Sequence, residues 1–330
     1  MSLLSPLSAL FGAGVSIRNS LYDRGVLSSH QLKWPVVSVG NLRVGGTGKT
    51  PFVIHLGQLL QQKQVPFDVL SHGYGRASKG LRLVDDKGSA RDFGDEPLLI
   101  AQKLLVPVIV CADRYAAGLH AEKIFADIRP AHGSQWLHIL DDGFQHRRLA
   151  RDFDIVLVTP SDAADSLLPS GRLREPLSSL RRADAIVLTE GTSTEGLPLE
   201  GKHVWRVSRG LEIGNQFLPE KAIAFCGIAR PDRFFADLKA IGCAPVATHS
   251  FPDHHTYSDA DITSLLRLRE QYSASAFLIT EKDAINLRAA GLFDRLQPIQ
   301  VLPLRMQLID AEHAVNTILG TIAERLGCRK

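Results

Sequence analysis

The sequence predicts an α/β protein of two modules, and three observations carry that expectation. Apolar, β-rich runs alternate with helical segments along most of the chain, the pattern of a mostly parallel sheet covered on both faces. One run ends in a glycine-rich turn, then Lys49-Thr50, then a segment with helical spacing. A second alternating set follows a break rich in Gly, Ser, Thr and Pro between Gly191 and Gly201. At 330 residues the chain is long enough for two such modules. Its hydrophobic content of 45% and charged content of 22% are those of a folded protein with an apolar core.

The first element is an N-terminal segment, Met1 to Ile17, without a charged side chain; Arg18 is the first charge. It is too short and too polar for a membrane span and lacks the basic start of a secretory signal. Leu3, Leu4, Leu7, Leu10, Phe11 and Val15 fall on one face of a helix. Such a face either packs on the body of the protein or dips into a bilayer, with Arg18 and Arg24 near the headgroups.

Strands are expected at Val36 to Val39, Phe67 to Leu70, Val108 to Cys111, Leu137 to Leu140, Ile155 to Val158 and Ile186 to Leu188, with a helix at Arg114 to Ile128. Val204 to Val207 reads as a linking strand. The second set has strands at Ala222 to Phe225, Val246 to His249, Ala276 to Ile279 and Ile299 to Leu302. Its helices lie at Asp232 to Ile241 and Asp259 to Tyr272. A last helix, about Ala311 to Leu326, suits either module. Ligands of such sheets bind at the carboxyl ends of the strands, and most of the polar motifs follow strand ends.

The turn after the first strand, Val44-Gly45-Gly46-Thr47-Gly48-Lys49-Thr50-Pro51, has the order of a phosphate-binding P-loop. Glycine lets backbone N–H groups approach a polyphosphate, and the helix that follows directs its positive end at the anion. Lys49 is placed to reach the β- and γ-phosphates, and the Thr50 hydroxyl to ligate Mg²⁺. The usual first glycine is replaced by Arg43. An apolar strand ends in Asp141-Asp142-Gly143; beside a P-loop, acids there hold Mg²⁺ directly or through water.

Gly94-Asp95-Glu96-Pro97 is either a capped helix start or the source of a carboxylate base for a substrate hydroxyl. Asp253-His254-His255 follows a strand of the second module; adjacent histidines are poorly placed to grip one metal ion. One catalytic or substrate-binding histidine, or a plain polar turn, fits better. Gly171-Arg172-Leu173-Arg174-Glu175-Pro176 offers arginine forks suited to phosphate oxygens. Ser71-His72-Gly73-Tyr74-Gly75-Arg76 lacks the third glycine of a dinucleotide fingerprint, which argues against a nicotinamide site.

The net charge of +3 does not argue for nucleic acid. The four cysteines, Cys111, Cys226, Cys243 and Cys328, form no close pair, consistent with a reducing compartment and no structural zinc. No Lys-x-Asp occurs, so the guanine-reading motif of regulatory GTPases is absent. A P-loop switch or chaperone NTPase and a kinase of a soluble metabolite are the alternatives to the reading that follows.

Taken in order, these segments resemble the tetraacyldisaccharide 4'-kinases, the lipid A 4'-kinases of Gram-negative bacteria. Phe225-Cys226-Gly227-Ile228-Ala229 and Thr280-Glu281-Lys282-Asp283 complete the match, which spans nearly the whole chain. Arg43 is no exception there, since P-loops of that family also lack the first glycine. The resemblance implies ATP and Mg²⁺ as cofactors and phosphorylation of the 4'-hydroxyl of a tetraacyldisaccharide 1-phosphate. It implies a peripheral location on the anionic, cytoplasmic face of the inner membrane, no obligate protein partner, and no nucleic-acid ligand. It favours the interfacial reading of the N-terminal helix.

By position, Asp95 and His254 match a catalytic pair, and Lys49 and Thr50 the phosphate and Mg²⁺ roles. Asp141 and Asp142 match the metal-proximal acids, and His146, Arg174 and Glu175 residues of the active-site cleft; Tyr74 and Arg76, in a loop after the second strand that suits a substrate or nucleotide, complete the expected substrate-binding set. The expected fold is a P-loop NTPase-like parallel sheet core with a smaller α/β lobe and an N-terminal amphipathic helix. The expected divisions are residues 1–27, 28–203 and 204–330. Closure of the cleft between lobes would assemble Asp95 with His254.

Overall fold

The long apolar runs become the inner strands of a nine-stranded sheet in the computed structural model, which describes residues 4–128, 135–214 and 217–328. The first half of the chain supplies α1 (Ser5–Asp23), β1 (Val36–Asn41), α2 (Lys49–Gln62), β2 (Phe67–Ser71) and β3 (Arg82–Leu83). Next come α3 (Ala90–Phe93), α4 (Asp95–Leu104), β4 (Val108–Val110), α5 (Arg114–Ile124), β5 (Leu137–Asp141), β6 (Phe153–Val158) and β7 (Ala185–Leu188). β8 (His203–Leu211) leads out to the second lobe. That lobe holds β9 (Ala222–Cys226), α6 (Pro231–Ala240), β10 (Ala247–Ser250), α7 (Asp259–Gln271), β11 (Ala276–Thr280), α8 (Glu281–Ala289) and β12 (Ile299–Leu302). The chain returns through β13 (Leu304–Leu308) and ends in α9 (Ala311–Gly327).

The large sheet runs β13-β8-β7-β6-β1-β5-β2-β4-β3 and is parallel except at its two edge strands, β13 and β3. Every residue of β1, β2, β5 and β6 is buried, as strands covered on both faces require. β1 pairs with β5 on one side and β6 on the other, so the strand order reverses there and a crevice opens at the carboxyl ends. The smaller sheet, β10-β9-β11-β12, is wholly parallel and has its own core around Phe225, Phe277 and Ile262.

The division expected at residue 204 falls differently in the structure. β8 is the neighbour of β7 in the nine-stranded sheet, and β13 pairs antiparallel beside it. The cause is the alternation of their side chains. Trp205 and Val207 of β8 and Met306 and Leu308 of β13 enter the core of the large sheet, joined by Ala314, Val315 and Ile318 of α9. The final helix thus packs on the first lobe, and the second lobe hangs from two adjacent strands.

Helix α1 is amphipathic in reverse. Its small and polar residues face the body: Ser8 Oγ donates to the Leu167 carbonyl at 2.9 Å, Gly12 lies against Leu167, and Asn19 Nδ2 donates to Glu175 at 2.8 Å. Leu7, Leu10 and Ile17 point outward, Leu10 with 72% of its surface exposed. Of the expected apolar face, Leu3 lies outside the described residues.

Beneath the opposite end of the sheet, a buried ion cluster ties α5 to the strands. His138 Nδ1 lies 2.8 Å from Asp68 Oδ1, and its Nε2 lies 3.6 Å from Glu122 Oε1 of α5. Burial alone would lower the imidazole's pKa, but the Asp68 and Glu122 carboxylates reverse this and hold it at about 9. A folded pKa above the unfolded value of about 6.5 gives stability that is fully present below pH 6.5 and lost as pH rises through about 9. Urea unfolding between pH 6 and 9 is expected to show a loss of about 2–3 kcal/mol. The loss should be absent in His138→Leu; the same slope in the variant would refute the assignment.

Candidate active site

The loop after β1 folds as a phosphate cradle because its glycines take conformations other residues avoid. Gly45, Gly46 and Gly48 have φ of +76°, +52° and +88°. Gly48 caps α2 with no side-chain hydrogen bond, which leaves the first-turn amides directed at the cleft. Lys49 Nζ lies 3.3 Å from Asn41 Oδ1 and 3.5 Å from Asp142 Oδ1. Thr50 is buried beside it at the head of α2.

Arg43 replaces the glycine that usually opens such a loop, and the structure shows what it does instead. Its buried guanidinium is held by Asp162 at 3.1 Å and Asp165 at 3.2 Å, and by the hydroxyls of Thr159 and Ser161. The loop start is thereby pinned to the segment that follows β6. The Arg172–Glu175 stretch is fixed to the same place, with Val44 N donating to Arg172 O at 2.8 Å and Arg174 N to Leu42 O at 2.6 Å.

The two acids after β5 differ in environment. Asp142, with φ of +50°, accepts both Arg174 nitrogens at 3.0 and 2.7 Å. Burial would raise its pKa, yet Lys49 and Arg174 hold the carboxyl far below the usual range. Asp141 lies deeper and accepts from Ser71 Oγ at 2.9 Å. Burial, with the charges of Glu96 and Asp142, pushes it up to about 7.

No group of three or more His, Cys, Asp or Glu side chains suited to a metal occurs among the described residues. Mg²⁺ at a phosphate site needs only one or two protein donors besides phosphates and water. The Thr50 hydroxyl, Asp142 and the unpartnered Oδ1 of Asp141 fit that set.

Across the cleft, Asp95 opens α4 after Gly94, whose φ is +90°. His254 of the second lobe, itself at φ +57°, brings Nδ1 to 2.9 Å from Asp95 Oδ2. The acid and the histidine are therefore paired in this structure. Burial would raise the Asp95 pKa, but the His254 hydrogen bond and the charge of Lys282 lower it; the same bond raises His254. Lys282 pairs with Glu96 and Lys103 with Glu281, so α4 and α8 are stapled across the cleft.

The P-loop, Asp142, Arg174, Tyr74 and His254 line one cavity of about 800 Å³ between the lobes. Three residues expected on its substrate side are placed elsewhere. Glu175 is wholly buried and binds Asn19 and Arg182, tying α1 to the body. Arg76 turns back to the Gly80 carbonyl and cradles Gly73. His146 sits half-buried in the turn after Gly143, its pKa lowered to about 4 by burial and the nearby Arg114. None of the three lines that cavity, although Glu175 directly follows Arg174, which does.

A model of the tetraacyldisaccharide-1-P 4'-kinase family (LpxK) matches residues 1–323. A tetraacyldisaccharide 4'-kinase of Koribacter versatilis is 49% identical over 98% of this chain and 100% of its own. The chain belongs to the tetraacyldisaccharide-1-P 4'-kinase family. The family's enzyme from Aquifex aeolicus is 40% identical over 87% of this chain and 90% of its own. A crystal structure of LpxK from Aquifex aeolicus in complex with ATP superposes with a TM-score of 0.73 at 36% identity. It covers 97% of this chain and 98% of that one.

Several cleft residues escaped the sequence reading. Arg114, at the start of α5, reaches His72 at 3.0 Å; its place just past the end of β4 was the available signal. Lys282 belongs to the Thr280–Asp283 segment, whose pattern alone assigns it no role. Arg209, Arg230 and Arg233 line the cleft from the second lobe and its linking strand, and nothing in their local pattern distinguishes them from surface arginines.

The loops of the second lobe are gathered by Asp283, which is wholly buried and accepts from Gly227 N at 2.7 Å, Tyr257 Oη at 2.8 Å and Thr280 Oγ1 at 2.6 Å. Removing it strands three donors. Asp283→Ala is expected to destabilise the protein by about 3–5 kcal/mol, measured by denaturant unfolding. A loss under about 1 kcal/mol would show that water or rearrangement replaces the carboxylate.

Proposed function

We propose that this chain transfers the γ-phosphoryl group of ATP to the 4'-hydroxyl of a tetraacyldisaccharide 1-phosphate, a lipid A precursor. The observation that carries this reading is one cleft lined by a P-loop with Lys49 and by His254, whose ring is paired with the buried Asp95 behind it. Membership of the kinase family gives the same direction.

ATP is the phosphoryl donor; Thr50, Asp141 and Asp142 would hold Mg²⁺, which would neutralise charge on the phosphate oxygens. Lys49 and the loop amides supply further positive charge, fixed in place before reaction. Asp95 is the base. Its lowered pKa keeps it ionised at neutral pH, and it takes the proton of the sugar hydroxyl. His254 orients that carboxylate and stabilises its charge. Arg174 and Tyr74 border the space left for the disaccharide.

The outward apolar face of α1 supports a peripheral membrane location and disfavours a soluble substrate. Leu7, Leu10 and Ile17 form that face, with Val26 just beyond the helix. No described helix is long and apolar enough to cross a membrane. The helix lies in the interface, with Arg18 and Arg24 at the anionic headgroups of the cytoplasmic leaflet. No nucleic acid or obligate protein partner enters this reading.

Two measurements test it. Transfer of labelled γ-phosphate to the tetraacyldisaccharide 1-phosphate in detergent micelles should fall by at least about 100-fold in Lys49→Ala and in Asp95→Asn. Wild-type ATP binding without lipid product would move the switch reading to the front. For the membrane, Leu7→Glu/Leu10→Glu/Ile17→Glu should abolish sedimentation with anionic phospholipid vesicles while keeping ATP binding. Undiminished sedimentation would assign the attachment to another surface.

A further inference from the structure

The charge on the second-lobe wall of the cleft is unbalanced. Arg209 of β8 and Arg230 and Arg233 at the start of α6 line it together. Among the described residues one carboxylate lies within ion-pair distance of them: Asp237 Oδ2, 2.6 Å from Arg209 Nη1. Burial and the like charges of Arg233 and Arg230 lower the Arg209 pKa to about 10. Arg230 is faced from the P-loop side by Arg43 and Arg172, with Asp162 as the opposing charge. Arg43 is already committed to Asp162 and Asp165. Guanidiniums crowded in this way are costly unless an anion shares the site.

Arg230 has the geometry to meet that anion. Its stem lies on the P-loop: a Cβ built on Gly46 would stand 2.7 Å from its Cγ and 2.8 Å from its Cδ. Ala229 packs on Gly45 in the same manner, at 3.2 Å from a built Cβ. Among the described residues the Nη1 of Arg230 is buried without a hydrogen-bond partner. A guanidinium whose stem lies on the glycines of a phosphate loop is within reach of a polyphosphate bound to that loop. As transfer proceeds, charge gathers on the oxygen bridging the β- and γ-phosphorus atoms.

We propose that Arg230 is a catalytic residue, a cis-acting arginine that contacts the β,γ-bridging and γ-phosphoryl oxygens of ATP from the second lobe. The proposal deepens the kinase reading and rests on it. In that reaction the bond from the sugar 4'-oxygen to the γ-phosphorus forms, and the bond from the γ-phosphorus to the bridging oxygen breaks. The electron pair goes to the bridging oxygen, which leaves on ADP, and the hydroxyl proton goes to Asp95. Arg230 stabilises the charge arriving on the bridging oxygen. The planar fork, and not only a positive point, is what the role requires.

The test compares Arg230→Met, Arg230→Lys and Lys49→Ala with the wild-type enzyme. Methionine keeps an apolar stem on Gly46 and removes the guanidinium. The assays are γ-phosphate transfer to micellar tetraacyldisaccharide 1-phosphate and binding of Mg-ADP with and without aluminium fluoride. The expected result is a kcat loss of about 100-fold or more in Arg230→Met, with KM for ATP changed less than about fivefold. Arg230→Lys should recover little of the rate, and the tighter binding of Mg-ADP in aluminium fluoride should be lost in both. A kcat within about threefold of wild type in Arg230→Met would overturn the proposal and leave the stem a packing element. Weakened ATP binding with unchanged kcat would overturn it too, since the contact would then act on the ground state alone. If Lys49→Ala retained full transfer, the failure would belong to the P-loop reading itself.

Discussion

The parallel hydrogen bonding of β1 to β5 on one side and β6 on the other decides where everything else can go. Parallel strands all end at the same edge, and the chain must leave and return through crossovers. The reversal of order at β1 therefore opens a crevice whose walls are the loops after β1, β5 and β6. The loop after β1 is the glycine cradle. The loop after β5 carries Asp142, 3.5 Å from Lys49. The loop after β6 carries Asp162 and Asp165, which hold Arg43. Moving β1 to an edge of the sheet would separate these three loops, and no side-chain substitution could bring them back together.

The second lobe is joined by weaker means. It hangs from β8 and β13 and meets the first lobe through pairs such as Asp95 with His254 and Glu96 with Lys282, and through Ile285, buried against Leu98 and Leu99. Partly exposed pairs of this kind contribute about 1 kcal/mol or less each, against tens of buried apolar side chains holding each lobe together. Each lobe thus has its own large apolar core, and the contact between them is the smaller one. The glycine loop with Lys49 and Asp142 is built entirely within the first lobe, and under the proposed function His254 comes to it from the second.

Much of this was legible in the sequence because buried parallel strands are continuous apolar runs. Val36 to Val39 and Ile155 to Val158 could hardly be anything else, and the glycine loop after β1 announced the phosphate site. β13 was missed because Leu304-Arg305-Met306-Gln307-Leu308 is short, alternating and follows Pro303, so nothing tied it to β8 about a hundred residues earlier. That pairing set the lobe boundary, which local pattern cannot see. In the site, membership of a motif does not tell which of its residues line the cleft, as Glu175 and Arg76 show. Successive residues of a loop point to different sides of the wall, and only one of Arg174 and Glu175 borders the cleft.

Glu175 shows why a residue outside the cleft can still matter to it. Its carboxylate accepts from Asn19 of α1 and from Arg182. The preceding residue, Arg174, grips Asp142, which neighbours Lys49. One short segment therefore runs from the helix with the outward apolar face to the lysine of the phosphate loop. α1 meets the body through polar and small residues, which frees its leucines for another apolar phase. Had the leucines packed inward, about 1.5–3 kcal/mol each would have favoured the bland arrangement of a buried helix. The chain forgoes that stabilisation, and under the proposed function the bilayer supplies it, placing the acylated substrate and the cleft at the same surface.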